Sequence, residues 1–196
     1  MASPELVFDY DAADEDIYVD TMKRHGAVII KGYISSEATV AITEQILERP
    51  FTEIDEVHGK VHEQFGLQEW PLADAPSLTR AFVEHAGMMV REQGIPWLPT
   101  AIRAQLYRPK TSGVDWHRDF KPSLLTVGVL NLIGEALFDV RVDGSEVRTL
   151  LEPGDFALLR NTGINPGVDD RVEHRVHAPI VVERLSLGIR QEGIAA

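Results

Sequence analysis

The chain has 196 residues, with 19 Lys and Arg against 31 Asp and Glu, so its net charge is −12. That balance disfavours bulk nucleic acid, whose binders need a basic patch to displace counterions. There is no cysteine, which excludes disulfides, thiolate nucleophiles and zinc–thiolate sites and fits a reducing, cytoplasmic setting.

The length suits one domain, 1–196. Residues 1–100 read as mostly helical support with a lid segment, and 101–191 as a β core that carries the site. The first 20 residues are acidic and lack the basic-then-apolar pattern of a leader. No apolar run reaches membrane-spanning length, so no membrane is expected as partner. Asp14 to His25 reads as a short helix stopped by Gly26. Ala27-Val28-Ile29-Ile30 is an apolar, β-branched run and predicts a buried strand. Ser35 or Ser36 can cap a helix to about Glu48, and Pro50 ends it. Phe51–Ala75 shows no clean period and reads as a long loop with room for a strand or a helical turn. Pro76-Ser77 opens a helix with Leu78, Phe82, Ala86, Met89 and Val90 on one stripe, closed by Gly94 and Pro96.

From Ala101 the pattern changes to short strand-like runs: Ala101–Arg108, Leu124–Leu132, Ala136–Val142, Val147–Leu151, Phe156–Arg160, Val172–Val176 and Ile180–Ile189. Asp143-Gly144 is a hairpin signal and Pro153-Gly154-Asp155 a second turn. Many short strands at this spacing predict a sandwich or barrel. With the helices before it, the fold class is α+β: a jelly roll flanked by supporting helices.

Within that region lies Trp116-His117-Arg118-Asp119. On a strand, His117 and Asp119 would point to the same side. A histidine from another strand would complete a two-histidine, one-carboxylate set suited to iron(II), with coordination positions left open. The pair alone is weak, because a chain with seven histidines produces such matches by chance. The C-terminal segment adds Glu173-His174-Arg175-Val176-His177, then Arg184-Leu185-Ser186-Leu187-Gly188-Ile189-Arg190. His117 and His174 are 57 residues apart, and His174 and Arg184 ten. Taken together, His117-x-Asp119, His174 and Arg184-x-Ser186 resemble the motif of the 2-oxoglutarate/iron(II) oxygenases. The resemblance covers roughly Ala101 to Gln191; the first half agrees only loosely.

The resemblance implies a double-stranded β-helix (jelly-roll, cupin-like) core. It implies His117, Asp119 and His174 as iron(II) ligands, and 2-oxoglutarate and O2 as cosubstrates. Arg184 would fork onto the C5 carboxylate of 2-oxoglutarate, for which a planar guanidinium is suited, and Ser186 would donate a second hydrogen bond. The plainer reading of this strand is an amphipathic one, leucines inward and Arg/Ser in water. Arg190 continues the Arg184 face. It resembles the second arginine of the alkylated-nucleic-acid demethylases, which sits near the metal site, and reads equally as a solvated strand end. Tyr107 resembles a cosubstrate-contacting tyrosine, although the related Asn-x-Tyr is here Gln105-x-Tyr107. His177 competes with His174 as ligand. Their three-residue offset puts them on opposite strand faces, and the step to Arg184 favours His174. His58 and His62 stand at i, i+4, but Gly59 weakens a helix there, and a surface or lid role fits better. Halogenating members of the family carry Ala or Gly in place of Asp119, so its presence argues against halogenation.

The implied activity is oxidation, foremost hydroxylation, of a C–H bond in a small-molecule metabolite or natural product, with release of succinate and CO2. Three alternatives stay open: a demethylase or hydroxylase of nucleotides or nucleic acid, a peptide hydroxylase, and a catalytically silent jelly-roll binding protein. Substrate contacts are expected from Phe51–Ala75, Lys110–Asp115 and Asn161–Asp170. Oligomeric state is left open.

Overall fold

The computed structural model describes residues 21–192, apart from 23, 59–60, 110–112, 120–122, 143–144, 165–168, 170 and 180–181. The chain runs through β1 (Ala27–Ile30), α1 (Ser36–Leu47), β2 (Thr52–His58), β3 (Val61–Pro71), α2 (Ser77–Glu92), β4 (Ala101–Tyr107), β5 (Gly113–His117), β6 (Ser123–Ile133), β7 (Ala136–Val142), β8 (Ser145–Leu151), β9 (Phe156–Arg160), β10 (Glu173–Val176) and β11 (Arg184–Glu192). Local chemistry sets the ends as expected. Ser35 Oγ accepts the Ala38 amide at 3.2 Å and caps α1. Pro76 precedes α2, and Gly94 follows it at φ +81°, a backbone conformation open to glycine. Of the helix expected over 14–25, residues 14–20 lie outside the described part; Thr21, Met22, Arg24 and His25 are helical, and the Gly26 amide donates to the Met22 carbonyl.

All strand pairings are antiparallel. The strands interleave into two rows, β4-β11-β6-β9 and β5-β10-β7-β8, with β1 extending the first beside β9. Consecutive strands alternate largely between the rows, which is the jelly-roll arrangement. β3 joins the rows at one side: Gly66–Pro71 pairs with β4, and Glu63 and Gln64 pair with β5.

Burial decides which way β11 faces. Leu185, Leu187 and Ile189 are each fully buried against Ile42 and Ile46 of α1 and Phe82, Ala86 and Met89 of α2. Burying one such side chain stabilises by about 1.5–3 kcal/mol, and a one-residue slip would expel all three. Arg184, Ser186 and Arg190 are thereby turned to the inside of the jelly roll. A second cluster, with Val127, Phe138, Val140 and Val176, fills part of the space between the rows.

Two expectations are corrected. Phe51–Ala75 is not an irregular loop: it holds the β2–β3 hairpin, in regular register from Thr52↔Leu67 to His58↔Val61. β2 reads TEIDEVH, and its acidic residues have low strand propensity; pairing with the longer β3 overrides it. The first hundred residues therefore supply three strands to the sheet as well as both helices. Residues 113–115, expected in a loop, begin β5. Gly113 has φ +71°, and a Cβ there would collide with the Val176 carbonyl, so glycine lets β5 approach β10 closely. Ile180–Ile189 becomes β11 at Arg184–Glu192, with 180–181 outside the described residues, as is the Asp143-Gly144 turn between β7 and β8. Among the described residues, no helix is long and apolar enough to cross a membrane.

Candidate metal and cosubstrate site

His117 ends β5 and stands directly opposite His174 of β10. Their ring centroids are 4.2 Å apart. Asp119 lies two residues past the end of β5, not on a strand as the His-x-Asp parity assumed. Two arginines place it instead. Arg171 Nη1 donates to the Asp119 carbonyl at 2.7 Å, and Arg190 Nη2 donates to its Oδ1 at 2.8 Å. The other carboxylate oxygen, Oδ2, faces His174 Nε2 at 3.6 Å. One ligand atom from each of His117, Asp119 and His174 lies within 4.8 Å of the others.

The rings are turned for this. The Asp115 carbonyl lies 2.8 Å from His117 Nδ1, and the Val172 carbonyl 3.5 Å from His174 Nδ1. A carbonyl only accepts, so the ring protons sit on Nδ1 and the Nε2 lone pairs are free, the orientation that metal-binding histidines adopt. Electrostatics agree. Burial pushes His174 down to about 4, and the neighbouring His117 adds to the effect, so the ring is neutral. Burial would raise Asp119, but the Arg190 guanidinium and the two imidazoles hold it at about 2, so it is a carboxylate. Two imidazoles and one carboxylate, convergent on one point, fit iron(II).

These groups make the metal-free protein acid-sensitive. An unfolded histidine titrates at 6.5. As pH falls from 6.5 toward 4, the unfolded chain takes up a proton at His174 that the folded one refuses, so stability is lost across that window. The loss is on the order of 3 kcal/mol in full, about 2 kcal/mol of it by pH 5. Asp119 opens a second window lower down, as pH falls from 3.8 toward 2. Urea denaturation of the metal-free protein at pH 7 and pH 5 measures the first effect, and an unchanged midpoint would contradict a buried neutral His174.

The triad opens on a cavity of ≈ 550 Å³, a size suited to a small molecule. Its floor is one face of β11: Arg184, Ser186, Gly188 and Arg190. Arg184 is 1% exposed. Its Nε donates to Asn131 Oδ1 at 3.0 Å, and its guanidinium lies 5.1 Å from the Tyr107 ring centroid. Nη1 and Nη2 are buried and make no well-formed hydrogen bond, the Tyr107 phenol being the polar group beside the guanidinium. Burial lowers Arg184 from its ordinary value, yet an arginine stays charged. Two charged donors pointing together into a cavity fit a planar carboxylate. At Gly188 an added Cβ would meet only the Arg103 carbonyl, at 3.8 Å, so the floor between Arg184 and Arg190 is open. Tyr107 is buried at the same place and pushed up to about 12 by that burial, so it is a neutral phenol. Gln105 lines the wall beside Ser186.

The structure thus brings His117, Asp119, His174, Tyr107, Arg184, Ser186 and Arg190 to one cavity. Arg190 is not a solvated strand end but the partner of Asp119. His177 stands on the other side of β10, where its Nε2 meets Asp139 Oδ2 at 2.8 Å. A larger, shallower depression of ≈ 1070 Å³ on that side holds none of the triad. His62 pairs with Asp55 across the β2–β3 hairpin at 2.8 Å and is on no helix. Asn131 and Arg171 carry no motif and were missed. Their roles come from contacts across 53 and 52 residues of chain, which spacing does not reveal.

The chain superposes on a Pseudomonas putida prolyl-4-hydroxylase with TM-score 0.69 and 16% identity, over 91% of this chain and 99% of that one. It superposes equally on the non-heme alpha-ketoglutarate-dependent carbocyclase SnoK of nogalamycin biosynthesis (0.69, 15%, over 98% and 87%). A third is a 2OG-Fe(II) oxygenase family protein from Burkholderia pseudomallei (0.69, 12%, over 97% and 98%). The fold is that of the 2-oxoglutarate/iron(II) oxygenases. At such identities the likeness is one of fold. No family model matches the sequence, and no curated protein does. The His-Asp-His cluster stands on the positions of this chain's own side chains and not on that likeness.

Proposed function

We propose that this protein is a 2-oxoglutarate- and iron(II)-dependent dioxygenase that oxidises, foremost hydroxylates, a C–H bond of a small molecule. The observation that carries the reading is Arg184. Two buried guanidinium donors without a well-formed hydrogen bond share a cavity with a convergent His-Asp-His cluster. A silent binding protein has no use for both together.

In this reading His117, Asp119 and His174 hold the iron, and Arg184 forks onto the distal carboxylate of 2-oxoglutarate with Ser186 as a second donor. Bound iron(II), with 2-oxoglutarate and O2, supplies an oxidant strong enough to attack an unactivated C–H bond, and succinate and CO2 leave. The chain's own part is placement and exclusion. Arg190 fixes the Asp119 carboxylate and Arg171 its backbone carbonyl, and Asn131 aims Arg184. Tyr107, with its proton held, packs its ring under that guanidinium and offers a neutral hydroxyl. Phe65, Val114, Val127 and Phe138 keep water from the walls. A cavity of ≈ 550 Å³ and a net charge of −12 favour a small-molecule substrate over nucleic acid. The cysteine-free chain fits a cytoplasmic location, and 1–196 acts as one unit.

The test is anaerobic titration of the iron(II)-loaded protein with 2-oxoglutarate, followed by visible absorption. A weak metal-to-ligand charge-transfer band is expected. Its absence, with iron demonstrably bound, would remove 2-oxoglutarate and bring forward the silent binding protein.

A further inference from the structure

β8 ends its row: among the described residues it pairs with β7 and with no second strand, and only near its end does the Leu150 carbonyl accept from Lys31 Nζ, at 3.0 Å. Free strand edges in natural proteins are usually blunted by lysine, proline, a bulge or a covering element. β8 reads SEVRTLL, with no lysine or proline, and its register with β7 is unbroken. Val147 shows the consequence. Its register partner Val140 is 6% exposed, while Val147, on the same core-facing side, is 61% exposed.

The opposite side of the sheet carries charge in rows that cross three strands. One row is Glu173, Arg141, Glu146 and the next is Arg175, Asp139, Arg148. Each row is bonded along its length. Arg141 donates to both Glu173 and Glu146, and Asp139 accepts from both Arg175 and Arg148 at 2.7 Å. The signs are minus-plus-minus and plus-minus-plus. The first row therefore reaches the free edge with a negative charge and the second with a positive one, two residues apart.

A two-fold axis perpendicular to the sheet through Val147 makes these ends meet. Antiparallel pairing of β8 with a second β8 then sets Glu146 opposite Arg148 of the second copy, twice. Each row continues its alternation across six strands. On the core-facing side Val147 meets Val147. An axis at Glu146 or Arg148 sets like charges opposite each other, which is unfavourable. An axis between residues would put outward side chains against inward ones. The β8 edge is thus self-complementary in this register, as an isologous interface requires. We propose that the protein is a two-fold homodimer joined by antiparallel β8–β8 pairing centred on Val147.

Sedimentation equilibrium of the full chain at tens of micromolar is expected to give twice the 21.8 kDa chain mass. Val147→Lys places two ammonium groups face to face and is expected to return the mass to that of one chain with an unchanged far-UV circular dichroism spectrum. The chain has no cysteine, so Val147→Cys tests the register directly. Residues opposite each other on antiparallel strands lie within disulfide reach, and mild oxidation is expected to give a covalent dimer. Val57→Cys, 67% exposed on β2, is the control that should stay monomeric on non-reducing electrophoresis. A single-chain mass for the unaltered protein overturns the proposal. So does a dimer that Val147→Lys leaves intact, or one in which Val147→Cys crosslinks no more than the control.

Discussion

His174→Ala is expected to abolish turnover and weaken iron(II) binding by more than about 100-fold, since altering even a residue that merely orients a ligand costs about 10- to 100-fold. The variant should stay folded. His174 is neutral at pH 7, so its removal strands no charge, and the truncation beside Phe138 costs about 2–3 kcal/mol as a partly relaxed cavity. Asp119 keeps its Arg190 partner. His177→Ala is the contrast. It removes one of the donors around Asp139 on the far side of β10 and should leave iron affinity unchanged. Calorimetric iron titration of both variants, with a thermal melt of each, decides the matter. Full turnover by His174→Ala with a dead His177→Ala would reverse the ligand assignment.

Arg184→Met is expected to separate cosubstrate binding from stability. Loss of the fork should raise the 2-oxoglutarate dissociation constant by about 100-fold or more, because truncating one partner of a buried hydrogen-bonded charge pair costs about 2–5 kcal/mol. Iron affinity should hold, since the Arg184 contacts are Asn131 and Tyr107, not the triad. The metal-free, cosubstrate-free protein should become more stable, by about 1–3 kcal/mol, because a buried guanidinium with two unsatisfied nitrogens gives way to an apolar chain of similar length. A raised melting temperature with weakened 2-oxoglutarate binding supports the assignment. Unchanged affinity for 2-oxoglutarate would take Arg184 out of the site.

What was legible in the sequence is what short-range chemistry or linear spacing carries. Ser35 and Pro76 marked the starts of the two helices through capping and steric rules that act within a few residues. The alternation from Arg184 to Arg190 told which side of β11 faces the helices, because Leu185, Leu187 and Ile189 have nowhere else to go. The same parity separated His174 from His177. What was illegible depends on partners distant in the chain. β2 is a strand because β3 pairs with it, against its own acidic composition. Asp119 reaches the site by its bonds to Arg171 and Arg190, after the strand has ended, so the i, i+2 rule arrived at the right residue through the wrong geometry. Nothing in the residues flanking Asn131 marks it as the partner of Arg184. Its side-chain nitrogen donates to the Gly134 carbonyl at 2.6 Å, which leaves its oxygen to face the guanidinium.

The bond from Arg190 to one oxygen of Asp119 has a bearing on denticity. With Oδ1 bonded to the guanidinium and Oδ2 turned toward His174, Oδ2 is the carboxylate oxygen best placed for a metal, while His117 and His174 offer one nitrogen each. Three residues then give three donor atoms and no more. A metal held this way would take three donor atoms from the chain, and any further ligand would have to come from what occupies the cavity beside it.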